Sequence, residues 1–245
     1  MPSVKKTALW IMCLGALSAC SGYDTESEHI RPLTPYQSEV IAYFKEIALG
    51  FEYGSAPQII YKWKSPMRVF VGGQKHNTIL RDELQKVIAE INQLATDGFF
   101  IEVTDDTLRS NCYIFLGSRT EFLERFPDAA TSLGSNYGLF NVWQTHGEIH
   151  KARIFVDAVR PLPHQQRSTL REELTQSLGL GRDCPQYQNS IFYEAPGDGG
   201  FNTAYAKIDK DIIRLLYHPV MPAGLEKGFL NLVLIKFYQQ ENSIN

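Results

Sequence analysis

The sequence predicts a domain of the α+β class. Two observations carry this. Short apolar runs bounded by Gly and Pro alternate with helix-period segments through the first two thirds of the chain, and helix-period segments alone follow. The hydrophobic fraction of 44% is that of a globular chain, and from about Leu33 onward the length suits one domain or two small ones.

The elements follow in order. Thr34-Pro35 is an N-cap and N1 pair, opening a helix through Val40, Ile41, Phe44, Ile47 and Ala48. Ile59–Trp63 and Met67–Val71 read as strands, separated by Ser65-Pro66 and stopped by Gly72-Gly73. From Thr78 to Ala95, apolar residues at 79, 80, 84, 87, 88, 91 and 94 keep the helical period. Phe99–Val103 and Cys112–Leu116 are further strands, and Ser118 with Glu121 makes a capping box for a short helix. Leu139–Trp143 and Ala152–Val159 add two strands. His164–Gly181 comes next and is followed by a loop rich in Gly, Pro and Asn. Ala206–Tyr217 and Leu225–Gln240 complete the series. The last is apolar but too short to span a bilayer, and it carries Lys236.

Ahead of the domain, Lys5 and Lys6 precede the apolar stretch Ala8–Leu17, which ends in Leu17-Ser18-Ala19-Cys20. That stretch is too short to cross a membrane and has the layout of a cleavable signal over residues 1–19. The last four residues match the lipobox pattern. The resemblance to bacterial lipoproteins implies a lipid on Cys20, and Ser21 rather than Asp after it implies sorting to the outer membrane. Residues 20–33 then form a polar, acidic tether and 34–245 the domain. The formal charge is −3, and loss of Lys5 and Lys6 with the signal makes the chain more acidic. No basic run is interleaved with aromatics, so nucleic acid is not expected as a partner.

Cys13 leaves with the signal and Cys20 takes the lipid, which leaves Cys112 and Cys184. In an oxidising compartment a disulfide between them is the expectation, with two separate buried thiols as the alternative.

The most informative segment runs from Arg171 to Asp183. Thr169 and Glu172 have capping-box spacing, Leu170, Leu174 and Leu178 make a buried stripe, and Gly179 and Gly181 are terminators. Glu172 and Gln176 are four apart and share a helix face, the spacing by which a helix presents two ligands to one metal. Glu172-Glu173-Leu174-Thr175-Gln176-Ser177-Leu178-Gly179-Leu180 resembles the H-E-x-x-H helix of zincin proteases, many of which continue as A-L-G-L. Glu173 falls on the general base, and Glu172, Gln176 and Arg182 fall on the three ligand positions. Asp209-x-x-x-Ile213-x-x-Leu216-Tyr217 resembles the helix that closes matrix metalloprotease domains, and Ala152–Val156 takes the place of the zincin edge strand. The chain is also similar to a family of bacterial lipoproteins of unknown function that share an R-E-E-x-x-Q-x-L-G-L core and a later Ser-Ile-Phe segment, here Ser190-Ile191-Phe192.

These resemblances imply a zincin-like single domain with a mixed sheet and a former active-site helix over 168–181. They do not imply a zinc site. Gln176 offers only a neutral amide oxygen, Arg182 is always charged, and no metal or other cofactor is expected. The expectation is a non-catalytic envelope protein whose cleft, lined by Glu172, Glu173, Gln176 and Arg182, takes a peptide, a glycan or a partner protein. Arg182 would pair there with Glu172 or Glu173. A residual peptidase-like hydrolase is the alternative, with Glu173 as base or with a metal held by Glu172 and a distant His, and a purely structural lipoprotein is a third. The plainest reading of Glu172 and Glu173 is two acids near a positive helix start. His146, His150 and His164 read as surface histidines, His218 as a helix-end residue, Trp63 and Trp143 as core, and Asp198-Gly199-Gly200 as a turn.

Overall fold

The computed structural model describes residues 32–51, 56–74, 76–194 and 200–244. The chain divides into two compact units, 1–31 and 32–245. The signal, Cys20, most of the tether and the pair Asp198-Gly199 lie outside the described residues.

The larger unit is α+β, with seven α-helices among the described residues and a mostly parallel sheet. Strands β1 (Lys62–Trp63), β2 (Met67–Gly73), β3 (Ile101–Val103), β4 (Cys112–Gly117) and β6 (Glu148–Asp157) run parallel to one another. Strand β5 (Gly138–Thr145) is antiparallel to β6, joined to it by a tight turn in which His146 has φ 52°. One side of β6 pairs with β1 and then β4, and its other side pairs with β5. The order from edge to edge is therefore β3-β2-β4-β6-β5 with β1 beside the start of β6, and β5 is an edge strand. Ala152–Val156, expected at the edge, sits inside the sheet. Its residues are buried almost continuously, as a strand covered on both faces requires.

One face of the sheet carries the main core and the long helices. Helix α1 (Pro35–Ala48) starts at the expected Thr34 cap, which accepts from Gln37 N at 3.2 Å. Helix α2 (Thr78–Leu94) is capped by Asn77, one residue before the expected start. The other face has a smaller core of Phe115, Phe122, Leu133, Leu139 and Phe155. It lies under α3 (Arg119–Arg125), a 3₁₀ turn at Pro127–Ala129 and α4 (Ala130–Leu133). Ser118 and Glu121 form the expected box.

Helix α5 (Pro163–Gln176) packs on α2, β6 and β5. It begins six residues before the Thr169–Glu172 signal. Pro163 sits at its first position, and Gln165 Oε1 accepts from Leu162 N at 2.8 Å. Thr169 and Glu172 are mid-helix, so neither is a cap. Helices α6 (Lys207–Leu216) and α7 (Lys227–Ile244) follow. No described helix is long and apolar enough to cross a membrane.

Trp63 is core, its Nε1 donating to Ser177 O at 2.9 Å. Trp143 is not: it is 39% exposed beneath Lys151 and Arg153, because its strand is the sheet edge. Cys112 and Cys184 are both buried and free in the structure, so the expected disulfide is not seen. Cys112 lies in a central strand, paired with Val69 and Ala152, while Cys184 N is bonded to Phe192 O in the loop after α5. Burial pushes the Cys112 thiol up to about 12, far from a reactive thiolate.

Candidate functional site

Four residues of α5, Thr169 among them, line one cavity of about 680 Å³. Glu172, Glu173 and Gln176 face it from the helix, and β5 forms the opposite wall from Gly138 to Val142. Glu173 is only 9% exposed, and its carboxylate lies against Gly138, where an added Cβ would come within 2.1 Å of Oε1 and 2.5 Å of the Thr169 methyl. That glycine is what lets β5 come so close to the helix. Gln176 Nε2 donates to Asp183 Oδ1 at 2.7 Å, which brings Asp183 into the lining. Phe51, Tyr61 and Phe140 form an aromatic end, with Phe51 4.7 Å from Tyr61 and 6.1 Å from Phe140 between ring centroids.

Arg182 stands apart from this group. It is absent from the cavity lining, and its guanidinium reaches Glu46 of α1 at 3.5 Å instead of Glu172 or Glu173. The neighbouring Asp183 takes the place expected of it. With Arg182 turned away, the described lining holds Glu172, Glu173, Asp183 and Glu194 and no Lys, Arg or His. The two glutamates are in the last part of α5, not at its start, so the helix dipole disfavours them by a few tenths to about 1 kcal/mol. Their placement is not a device of helix stability.

These donors do not fit zinc. The Gln176 amide group donates to a carboxylate, Arg182 is committed to α1, and the described residues hold no group of three His, Cys, Asp or Glu able to take a metal. His164, in the first turn of α5, is edge-on to Phe201 at 6.2 Å. His146 and His150 line a different cavity, together with Lys62 and Asp97. His218 follows α6, as a helix-end residue should, and burial lowers its pKa.

The loop after α5 is held from below by Asp209. This fully buried carboxylate accepts from Ser190 Oγ at 2.6 Å, Ala206 N at 2.9 Å and Ile191 N at 3.1 Å. Tyr43 OH bonds to Ser190 Oγ at 2.8 Å. At the other end of α6, Tyr217 OH donates to Leu178 O at 2.9 Å. Asp209 and Tyr217 of one segment thus position Ser190-Ile191 and Leu178 of the others. The pairing could not be read from spacing, because it joins three segments through the tertiary fold.

Burial pushes Asp209 up to about 6, against the hydrogen bonds from Ser190, Ala206 and Ile191. A raised carboxyl pKa means the folded state binds the proton more tightly than the unfolded one, whose value is about 3.9. Its favourable contribution is complete below about pH 4 and is lost as pH rises through about 6, on the order of 3 kcal/mol in all. Asp209→Asn is therefore expected to flatten the stability profile between pH 4 and 7, with its denaturation midpoint above the parent's at pH 7. Parallel urea titrations across that range check it, and an unchanged slope would refute it.

Arg171, quoted above only as part of a motif, proves to be the main buried cation. It is fully buried, with Nη2 2.6 Å and Nε 3.1 Å from Glu83 Oε1 and Nη1 on Glu90. Its guanidinium lies 4.5 Å from the centroid of the Tyr205 ring, and Tyr205 OH bonds to Thr175 Oγ1 at 2.7 Å. Burial works against the charge, yet Glu90, Tyr205 and Glu83 together raise its pKa above the ordinary value. The signal for this role was Glu83 at a helical position otherwise reserved for apolar residues on α2.

An α+β domain with a mostly parallel sheet, and an acid-lined cleft between an edge strand and a buried helix, defines the class of protein. The chain belongs to the family described as "Protein of unknown function (DUF2927)", whose model matches residues 37–234, from the first turn of α1 into α7. No curated protein matches it.

Proposed function

We propose that this protein is a lipid-anchored component of the cell envelope, held at the outer membrane through Cys20, that binds an extended peptide in the β5–α5 cleft without cleaving it. The observation that carries this is the relation of β5 to α5. The outer edge of β5 has no strand partner among the described residues, and it borders a cavity walled by Glu172, Glu173 and Gln176. An unpaired edge offers backbone donors and acceptors to an added strand. An edge strand facing the motif helix across a cleft also supports a zincin-like frame. The altered ligand positions argue against zinc-dependent hydrolysis, since a water made acidic enough to attack needs the metal. The four carboxylates select a peptide bearing Lys or Arg, and Phe51, Tyr61 and Phe140 receive its apolar side chains.

The test uses the soluble chain from residue 21 and fluorescent peptides that differ only in charge. Basic peptides are expected to bind, more weakly at high salt. Glu172→Gln with Glu173→Gln should reduce affinity roughly ten-fold, the scale of a lost charge pair. Equal binding of acidic and basic peptides by parent and variant would defeat the proposal. Peptide cleavage that disappears in Glu173→Gln would replace it with a hydrolase.

A further inference from the structure

The ladder between β5 and β6 fixes which backbone groups of β5 face outward. Gly138 stands opposite Val156, so Tyr137 stands opposite Asp157. Asp157 N donates to Tyr137 O at 2.8 Å. Pairs in an antiparallel ladder alternate between those that exchange hydrogen bonds and those that do not. Leu139 and Asn141 therefore bond inward to β6, while Gly138, Phe140 and Val142 turn their N–H and C=O groups to the outer edge. None of those groups is hydrogen-bonded to another described residue.

The same three residues face α5, since positions two apart on a strand share a face. Phe140 and Val142 pack against the main core, and at Gly138 a Cβ would lie 2.1 Å from Glu173 Oε1. A strand added antiparallel to this edge places one residue opposite Gly138 and one opposite Phe140, with side chains on that face. Cβ atoms of such opposed residues lie about 5 Å apart. The residue opposite Gly138 thus starts beside Glu173, and Glu172, half-buried on the next face of α5, lines the same space. The residue opposite Phe140 starts beside a ring 6.1 Å from Phe51, which is itself 4.7 Å from Tyr61. That end lies past the C-terminus of α5, since Phe51 pairs with Gly181. Carboxylates and aromatic rings are therefore two residues apart along β5.

We infer that the ligand of the cleft carries an apolar residue followed, two places later, by Lys or Arg, and lies antiparallel on β5 with the first opposite Phe140 and the second opposite Gly138. The inference rests on the peptide-binding reading of the cleft and adds a register and a sequence to it. The antiparallel sense lets Gly138 and Phe140 each exchange both hydrogen bonds with a single ligand residue, and it is the more stable pairing per residue.

The experiment uses the full chain in detergent and short labelled peptides of alanine and serine, read by fluorescence anisotropy. A central Phe-Ser-Lys is expected to bind roughly ten-fold more tightly than Lys-Ser-Phe, Phe-Lys or Phe-Ser-Ser-Lys, the scale of one misplaced aromatic or charge contact. An N-methyl group on the Phe removes a donor aimed at Phe140 and should weaken binding by about the same factor. An N-methyl group on the central Ser, whose N–H points away from β5, should not. Glu172→Gln should cancel the preference for Lys over Ala at the third position, and Phe140→Ala the preference for Phe over Ala at the first. Equal affinity for all four arrangements, a reversed order that binds as well as the expected one, or equal effects of the two N-methyl groups, in protein that binds basic peptides, would overturn the inference and leave the peptide cleft standing. Failure of every peptide to bind, in protein shown to be folded by circular dichroism, would remove both.

Discussion

Arg171→Met is expected to destabilise the domain by about 3–5 kcal/mol at neutral pH, the usual result of removing one partner of a buried ion network. The methionine roughly fills the space, so the loss is electrostatic. Glu83 is 5% exposed and would keep its charge with no guanidinium beside it. Glu90 is less buried, at 31% side-chain exposure, and can turn toward water at smaller cost. Adding Glu83→Gln should recover part of the loss at pH 7, because the unpaired buried carboxylate is then gone. Urea denaturation of the parent, single and double variants decides it. A loss below about 1 kcal/mol, the range of exposed pairs, would mean the network is solvated.

Gly179→Ala should cost about 3–5 kcal/mol, from backbone strain and steric overlap together. Gly179 has φ 114°, outside the range an alanine adopts easily, and an added Cβ would lie 1.9 Å from the carbonyl oxygen of Tyr61 and 2.7 Å from its carbon. The obstacle is backbone on both sides, so no side-chain rotation relieves it. In a domain of this size such a loss lowers the melting temperature by roughly 10 °C. Calorimetry of the variant checks the magnitude. Tyr61 also lines the cleft, so peptide affinity should fall with stability. A variant that melts with the parent would show that β1 yields easily.

The helices were legible wherever caps and period agreed: α1 from Thr34-Pro35, α2 from its apolar repeat, and α3 from Ser118 with Glu121. The start of α5 was misread because a capping-box spacing at Thr169 outweighed the proline at 163. That error also put Glu172 and Glu173 at the wrong end of the dipole. Strand order could not be read at all. The position of β5 at the edge depends on which neighbour β6 accepts, and both strands are similarly apolar in sequence. Glu172, Glu173 and Gln176 were legible as one face from their spacing alone. Asp183 was missed because it reaches that face only through the turn after α5 and its bond to Gln176.

The sheet order also sets when the chain can fold. Its central strand β4 has one partner well before it, β2, and one well after it, β6. Neither pairing is local, so two long loops must close before the sheet gains much from either. Such a topology folds slowly, on the millisecond-to-second scale of domains rich in distant contacts. A chain growing from its N-terminus has no complete sheet until residue 157 has emerged, and α5, which covers that sheet, comes later still. The first two thirds of the domain must therefore remain soluble and uncommitted while the last third is made.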